Sequence, residues 1–270
     1  MYKEQPLILT TGKEYLYSVF YVPHEPPNGG KGHVVIICPP IAHERNNSYR
    51  VLVHLAKKIA IEGTAVVRFD YTGTGDSGGT FADIEVDTCI ANICKVASVM
   101  QMHGKITRIS LIGVRLGAIF ATIASQLMER ANDLILIDPV IDLKVYLKEL
   151  EYIQIINRVF GLGKNETSST KAQNSMDQHQ MEVAGYSFKK SFLEDISCLN
   201  RCKMSIRPEQ RVFMLFTQGK GVVTKADMFY DINSVETKVL KTKYGSFWAR
   251  DNVYEVPELS EEIISFLLKS

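Results

Sequence analysis

The sequence lacks long hydrophobic runs and any bias of charge. No stretch reaches the roughly 18 apolar residues of a membrane-spanning helix. Thirty-one Lys and Arg residues balance 30 Asp and Glu residues, a formal net charge of +1, which leaves no electrostatic footprint for nucleic-acid binding. Pro6, Gly12 and several charges interrupt the N-terminal segment where a signal peptide would have an apolar core. We therefore expect a cytoplasmic protein with no membrane span and no nucleic-acid partner.

Cysteine is also sparse and unpaired in the sequence. There are 5 cysteines, an odd number, and they are scattered, which is typical of reduced thiols in a cytosolic chain. Cys198 and Cys202 are close together, but no His or Cys pair stands near them to complete a zinc site. We predict neither a metal site nor a cofactor.

What the sequence does contain is a regular alternation of strand and helix patterns. Continuous apolar runs are typical of strands buried on both faces of a parallel sheet, and they occur at 33–38, 64–70, 106–112 and 133–137. Helical periodicity follows the first three runs, at 48–62, 83–102 and 115–130, with Ser48 as the expected N-cap. A hairpin at 6–22, strands at 211–216 and 235–241, and a helix at 257–269 complete the pattern. This order predicts an α/β fold with a doubly wound, mostly parallel sheet.

One region breaks the alternation. A helix is predicted over 142–160, and the polar segment 161–180 is long for a connection inside a compact domain, which favours a lid. We therefore predict a core formed by residues 1–142 and 186–270, with a helical cap inserted at 143–185.

The segment SLIGVRLGA (110–118) has the frame of a nucleophile elbow, a sharp strand-to-helix turn of the form G-x-S-x-G. Gly113 and Gly117 occupy the two glycine positions, where tight packing is required. The central position holds Arg115, and a guanidinium stays protonated and cannot attack a carbonyl. A serine nucleophile is therefore excluded at this position.

Three interpretations of Arg115 are open. It could start a helix and point to solvent, or it could pair with an internal carboxylate such as Glu44 or Asp138. Alternatively, an arginine above a helix N-terminus could form a cradle for a carboxylate or phosphate, because the unpaired amides and the helix dipole also attract anions.

The segment CPPIAHERNNSYR (38–50) follows the first buried strand, where this kind of fold supplies one oxyanion-hole amide. The amides of Ile41 and Leu116 are the expected pair. His43, Glu44 and Arg45 form a polar cluster beside them, and His43 is a candidate general base since an unperturbed imidazole titrates near pH 6.5. The alternative is structural: the loop caps the next helix and is fixed by an ion pair.

Two further features complete the sequence argument. The segment DYTGTGDSGGT (70–80) nearly fits a dinucleotide fingerprint, but it does not open a helix directly and has no P-loop lysine, so nucleotide binding is the weaker interpretation. After the last strand, where a catalytic base would be expected, the sequence reads YGSFWA (244–249) without a histidine. No carboxylate follows Phe216 directly either.

Together these segments resemble the α/β-hydrolase superfamily, and more narrowly the exosortase A system-associated hydrolase 2 group. The resemblance rests on segments 38–50, 69–79, 112–118, 137–142, 182–188 and 244–248. It implies that arginine is usual at the position of Arg115 and that Phe247 and Trp248 occupy the region of the base. It also implies a bacterial cytosolic protein linked to surface polysaccharide production and protein sorting.

Two functions follow as hypotheses. In the first, the protein is an unconventional or non-catalytic member that binds a small anionic or acylated ligand between Arg115, the amides of Ile41 and Leu116, and the cap. In the second, it hydrolyses an ester or thioester, with His43 or a carboxylate activating water and Arg115 stabilising the oxyanion.

Overall fold

The structure is a computed structural model that describes residues 1–24, 32–103, 106–160, 180–183, 185–199, 204–217, 230–231 and 235–269. Its twelve strands are β1 (Tyr2–Thr11), β2 (Glu14–Pro23), β3 (Gly32–Cys38), β4 (Ala65–Phe69), β5 (Ile106–Val114), β6 (Ala131–Ile137), β7 (Gln180–Val183), β8 (Tyr186–Lys189), β9 (Met204–Ser205), β10 (Arg211–Phe216), β11 (Tyr230–Asp231) and β12 (Val235–Val239). The α-helices among these described residues are α1 (Ala42–Ile61), α2 (Val86–His103), α3 (Leu116–Leu127), α4 (Leu143–Phe160), α5 (Lys190–Leu199) and α6 (Pro257–Leu268). Short 3₁₀ helices lie at Phe81–Asp83 and Phe247–Ala249.

Eight strands form the central sheet in the order β1-β2-β4-β3-β5-β6-β10-β12. The first two pair as an antiparallel hairpin and β2 joins β4 antiparallel, whereas the strands from β4 to β12 are mutually parallel. The apolar runs of the parallel strands are buried on both faces, as their composition requires. The predicted doubly wound, mostly parallel sheet with an antiparallel start is confirmed.

Helices cover both faces of this sheet. One core contains α1 and α6, which bury side chains such as Leu55 and Ile263 against one face. The other core contains α2 and α3, with Ile93 and Phe120 fully buried against the opposite face. The carboxyl ends of β3, β5 and β6 lie side by side in this sheet.

The prediction that Ser48 caps the first helix is wrong. Helix α1 begins at Ala42, and Ser48 lies inside it, with its Oγ donating to the backbone oxygen of Glu44 at 2.7 Å. The polar stretch before Ser48 is helical itself, and Glu44 in its first turn suits the positive end of the helix dipole. His43, Glu44 and Arg45 are thus fixed on a helix that points its N-terminus at the elbow.

The chain leaves the sheet between β6 and β10. There the described residues form α4, the antiparallel hairpin β7–β8, α5 and β9. The hairpin is anchored to the core by aromatic contacts of Phe81 with Tyr186 and Phe188, at 4.8 and 5.0 Å between ring centroids. The boundary expected between residues 185 and 186 falls at the turn of this hairpin, and the division into core and cap stays a prediction. Most of the predicted lid, residues 161–179, lies outside the described residues.

Within the part of the chain that the structure describes, no helix is both long enough and apolar enough to cross a bilayer.

Candidate functional site

The elbow forms as its sequence predicts. Strand β5 ends at Val114, Arg115 adopts φ 54° and ψ −120°, and α3 begins at the next residue. A Cβ atom on Gly117 would lie 2.3 Å from the backbone oxygen of Pro39, and one on Gly113 would lie 2.4 Å from the Cα atom of Ala118. Only glycine fits at either position, because backbone atoms cannot move aside cheaply.

Backbone strain is concentrated at this edge of the sheet. Three of the four non-glycine residues with positive φ in the described chain are Ala42, Arg115 and Asp138, which follow β3, β5 and β6. Such conformations are unfavourable for residues with a Cβ and tend to persist at sites where the surrounding structure holds side chains in place. The edge formed by these three strands is therefore the candidate site.

Arg115 is the centre of the site and is buried, with 6% of its surface exposed. Its Nε donates to Oε1 of Glu44 at 2.9 Å, and its Nη2 donates to Oε2 of Glu149 at 3.1 Å. The two carboxylates differ greatly in solvent exposure: the side chain of Glu44 is 2% exposed and that of Glu149 is 47% exposed. Arg115 thus does not point to solvent, and Glu44 is its internal partner.

Aromatic rings enclose the same guanidinium. The ring of Trp248 lies 3.7 Å from the guanidinium carbon of Arg115, and that of Tyr146 lies 5.5 Å from it. Cation–π attraction of this kind strengthens when both partners are desolvated. The guanidinium of Arg115 therefore interacts with two carboxylates and with two aromatic rings.

Trp248 connects Arg115 to Asp138. Its indole Nε1 donates to Oδ2 of Asp138 at 2.9 Å, and the amide of Thr217 donates to Oδ1 at 2.8 Å. The hydroxyl of Thr217 donates to Oδ2 as well. Arg115, Asp138 and Trp248 are therefore linked by direct side-chain contacts. Arg115 occupies the central position of the elbow, and Trp248 rather than a histidine donates to Asp138.

Burial and charge set the protonation states around Arg115. Burial opposes the charge of Arg115, but Glu44, Tyr146 and Glu149 together raise its pKa. Burial raises the pKa of Glu44, against the attraction of Arg115. Burial and the positive charge of Arg115 lower the pKa of His43, so this imidazole is neutral at pH 7. Tyr146 stays protonated, because burial raises its pKa well above the ordinary value.

Arg45 makes a separate set of contacts. Its Nη2 donates to Oδ1 of Asp70 at 2.7 Å, and the same carboxylate accepts the amide of Asp76 in the Gly-rich loop. A Cβ on Gly75 would lie 2.0 Å from Nη2 of Arg45. The close packing of the loop against this ion pair explains why residue 75 is glycine. Nucleotide binding is not needed to explain it.

Ile41 and Leu116 are the two remaining residues of the predicted site. Ile41 precedes α1 in an extended conformation and Leu116 is the first residue of α3, so both flank the elbow. An anion-binding role for their amides stays a prediction. Among the described residues, no group of three His, Cys, Asp or Glu side chains could hold a metal ion.

Sequence reasoning missed the contacts of Glu149 and Tyr146 with Arg115, and it placed Trp248 in the region of the base without its contacts to Arg115 and Asp138. The first two lie on α4, whose apolar periodicity gives no sign that polar side chains on it reach the elbow. Trp248 carried one signal, because it is the only tryptophan in the chain and follows the last strand.

Comparison with solved structures shows the same fold throughout. A ferulic acid-bound Est1E from Butyrivibrio proteoclasticus is 16% identical, with a TM-score of 0.65 over 97% of this chain and 98% of that one. The Pyrococcus furiosus esterase Pf2001 is 16% identical, with a TM-score of 0.63 over 99% and 91%. A putative hydrolase from Agrobacterium vitis S4 is 14% identical, with a TM-score of 0.61 over 100% and 98%. The predicted α/β-hydrolase fold is confirmed.

A family model for serine aminopeptidase, S33, matches residues 33–188. This range includes the elbow, α1 and the described part of α4. No curated protein matches the chain.

Proposed function

This chain belongs to the serine aminopeptidase S33 family, and from that premise we propose that it is a non-catalytic member that binds a small carboxylate or acyl ligand at Arg115. Acyl transfer through the family's triad needs a nucleophile and a base. A guanidinium is not a nucleophile, and an indole N–H donates but cannot accept a proton. The observation that carries the proposal is the unequal pair of carboxylates on Arg115.

Glu44 is a permanent partner, because it is buried and removing it would leave Arg115 poorly paired in a medium of low polarity. Glu149 is different, since half of its side chain faces solvent and it comes from α4, outside the central sheet. Exposed ion pairs contribute little free energy. We infer that a ligand carboxylate exchanges with Glu149 and accepts from the same Nη2 group.

Trp248 and Tyr146 supply an apolar surface beside that position. Their rings would contact the carbon chain of the ligand, while the nearby amides of Ile41 and Leu116 would share its negative charge. The cytoplasmic location and the link to exosortase systems stay predictions from the resemblance.

Calorimetry with acetate, butyrate, hexanoate and octanoate tests this function. We expect Glu149→Gln to bind at least about 10-fold more tightly than wild type, because the internal competitor loses its charge. Glu151→Gln, an exposed carboxylate change on the same helix, should leave affinity unchanged. Arg115→Met combined with Glu44→Gln, which avoids an unpaired buried carboxylate, should abolish binding. Equal affinities in all four proteins would contradict the proposal.

One observation favours the alternative of an active hydrolase. Nδ1 of His43 is buried without a hydrogen-bond partner among the described residues, and its imidazole is neutral beside Arg115. This is the form a general base requires. Ester and thioester hydrolysis by the same purified proteins separates the two functions. Turnover that falls about 100-fold or more in His43→Ala would establish the hydrolase and overturn the non-catalytic proposal.

A further inference from the structure

Three buried polar atoms around Arg115 have no hydrogen-bond partner among the described residues. They are Nδ1 of His43, Oε2 of Glu44 and the hydroxyl of Tyr146. Glu44 and Tyr146 are each only 2% exposed. Buried polar atoms are nearly always paired, so three unpaired ones around one guanidinium call for an explanation.

These atoms belong to one electrostatic environment. Glu44 accepts from Arg115 through Oε1, which leaves Oε2 free to accept from another donor. The ring of Tyr146 lies 5.5 Å from the same guanidinium. Burial raises the pKa of Tyr146, with a further contribution from Glu44, and burial lowers the pKa of His43, with a further contribution from Arg115. The site can therefore offer one acceptor and two groups that can either donate or accept.

Resting on the proposed function, we propose that the ligand is a hydroxycarboxylate, whose hydroxyl group lies one or two carbons from the carboxylate that replaces Glu149. A hydroxyl group donates one hydrogen bond and accepts others. It would donate to Oε2 of Glu44 and accept from the hydroxyl of Tyr146, so that a single group satisfies two of the three atoms.

An ammonium group fits the same position less well. It could donate both to Glu44 and to the oxygen of Tyr146, so hydrogen bonding alone does not separate it from a hydroxyl group. It would add a second positive charge beside Arg115, and repulsion by Arg115 already contributes, after burial, to the lowered pKa of His43. The charge pattern therefore favours a neutral donor over a cationic one.

The test compares matched ligands on the same protein by calorimetry. Lactate is paired with propionate and 3-hydroxybutyrate with butyrate, and alanine tests the ammonium group. Wild type and Glu149→Gln should each bind at least one hydroxycarboxylate about 10-fold more tightly than its partner, because a site that hydrogen-bonds a hydroxyl discriminates against analogues without one. Tyr146→Phe should reduce this ratio to below about threefold. Tyr152→Phe, an exposed change on the same helix, should leave the ratio as in wild type.

Each other outcome has a distinct meaning. Equal affinity for both members of each pair would overturn the hydroxyl inference and leave the carboxylate function standing. Tighter binding of alanine than of lactate would overturn it in favour of an ammonium group. A ratio that survives Tyr146→Phe would remove Tyr146 from the site and overturn the two-bond assignment. Absence of binding by every ligand to Glu149→Gln would overturn the proposed function itself.

Discussion

At the scale of single residues, Glu44 and Glu149 contact the same guanidinium in different surroundings. Glu44 is buried on α1 against Arg115, whereas Glu149 reaches the site from α4 and keeps half of its side-chain surface in water. The ion pair of Arg115 with Glu44 should therefore contribute more to the free energy of unfolding than the ion pair of Arg115 with Glu149.

We expect Glu44→Ala to lower the free energy of unfolding by about 3 kcal/mol, because it leaves a buried guanidinium without its main counter-charge. Glu149→Ala should cost less than about 1 kcal/mol, since the pair it breaks is half exposed. Urea titrations of wild type and both variants would measure the difference. Similar losses in the two variants would mean that burial does not distinguish the carboxylates.

At the scale of secondary-structure elements, the β5–α3 elbow has the sharp strand-to-helix turn of a nucleophile elbow, with Arg115 at its centre. Asp138 follows β6, its acceptor oxygens are filled by Trp248 and Thr217, and Arg115 stacks on the same indole ring. These three residues are in direct contact, and we predict that they stand at the three triad positions.

Restoring the missing groups should therefore produce hydrolysis. We expect the combined change Arg115→Ser, Trp248→His and Glu44→Gln to hydrolyse p-nitrophenyl acetate at least about 10-fold faster than wild type, since a positioned base alone contributes factors of 10² to 10⁴. The third change avoids an unpaired buried carboxylate. The same variant with Asp138→Asn added is the control and should lose most of the gain. No increase over wild type would show that the positions are not aligned for catalysis.

The sequence predicted the elbow because its signals are local. A buried strand, two glycines at fixed spacing and a helix without breakers all lie within 110–118. It also named Glu44 as a partner of Arg115, as one of two possibilities. It could not predict Trp248 or Glu149, because they meet Arg115 only through the packing of distant elements. The start of α1 was misplaced because Ser48 is a good N-cap residue, whereas tertiary contacts extend the helix back to Ala42.

At the scale of the whole molecule, the opposite ends of the strands are joined by a buried polar network. Asp133 accepts from Ser110 at 2.5 Å and from Arg211 at 2.7 Å, and also accepts from Arg108 at 2.9 Å. The Nε2 atom of His33 lies 2.7 Å from the Oγ atom of Ser110. Because the Ser110 hydroxyl proton goes to Asp133, neutral His33 donates through Nε2. The network ties β3, β5, β6 and β10 together.

This network makes the fold sensitive to acid. Burial, with repulsion by Arg108, lowers the pKa of His33 from 6.5 to about 4. In the unfolded chain His33 becomes protonated below about pH 6.5, whereas in the folded chain it stays neutral down to about pH 4. The unfolded state therefore binds more protons between these values, and the free energy of unfolding decreases as the pH falls from about 6.5 to about 4. We expect a loss of at most about 3 kcal/mol from this residue, at about 1.4 kcal/mol per pH unit.

The measurement is the free energy of unfolding in urea at pH 7, 6, 5 and 4. His33→Gln keeps a donor for Ser110 but cannot titrate, so it should lose less stability over this range than wild type does. Parallel curves for the two proteins would exclude His33 as the source of the acid sensitivity.

The attachment of Glu149 to the same chain has a consequence for how the site responds to its surroundings. A carboxylate fixed on a packed helix competes as if it were present at an effective concentration, which for short connections is on the order of millimolar. A free carboxylate must approach that concentration before it gains access to Arg115. Carboxylic acids at much lower concentrations would leave the ion pair between Arg115 and Glu149 intact. The protein would therefore respond only when the concentration of its ligand exceeds a threshold.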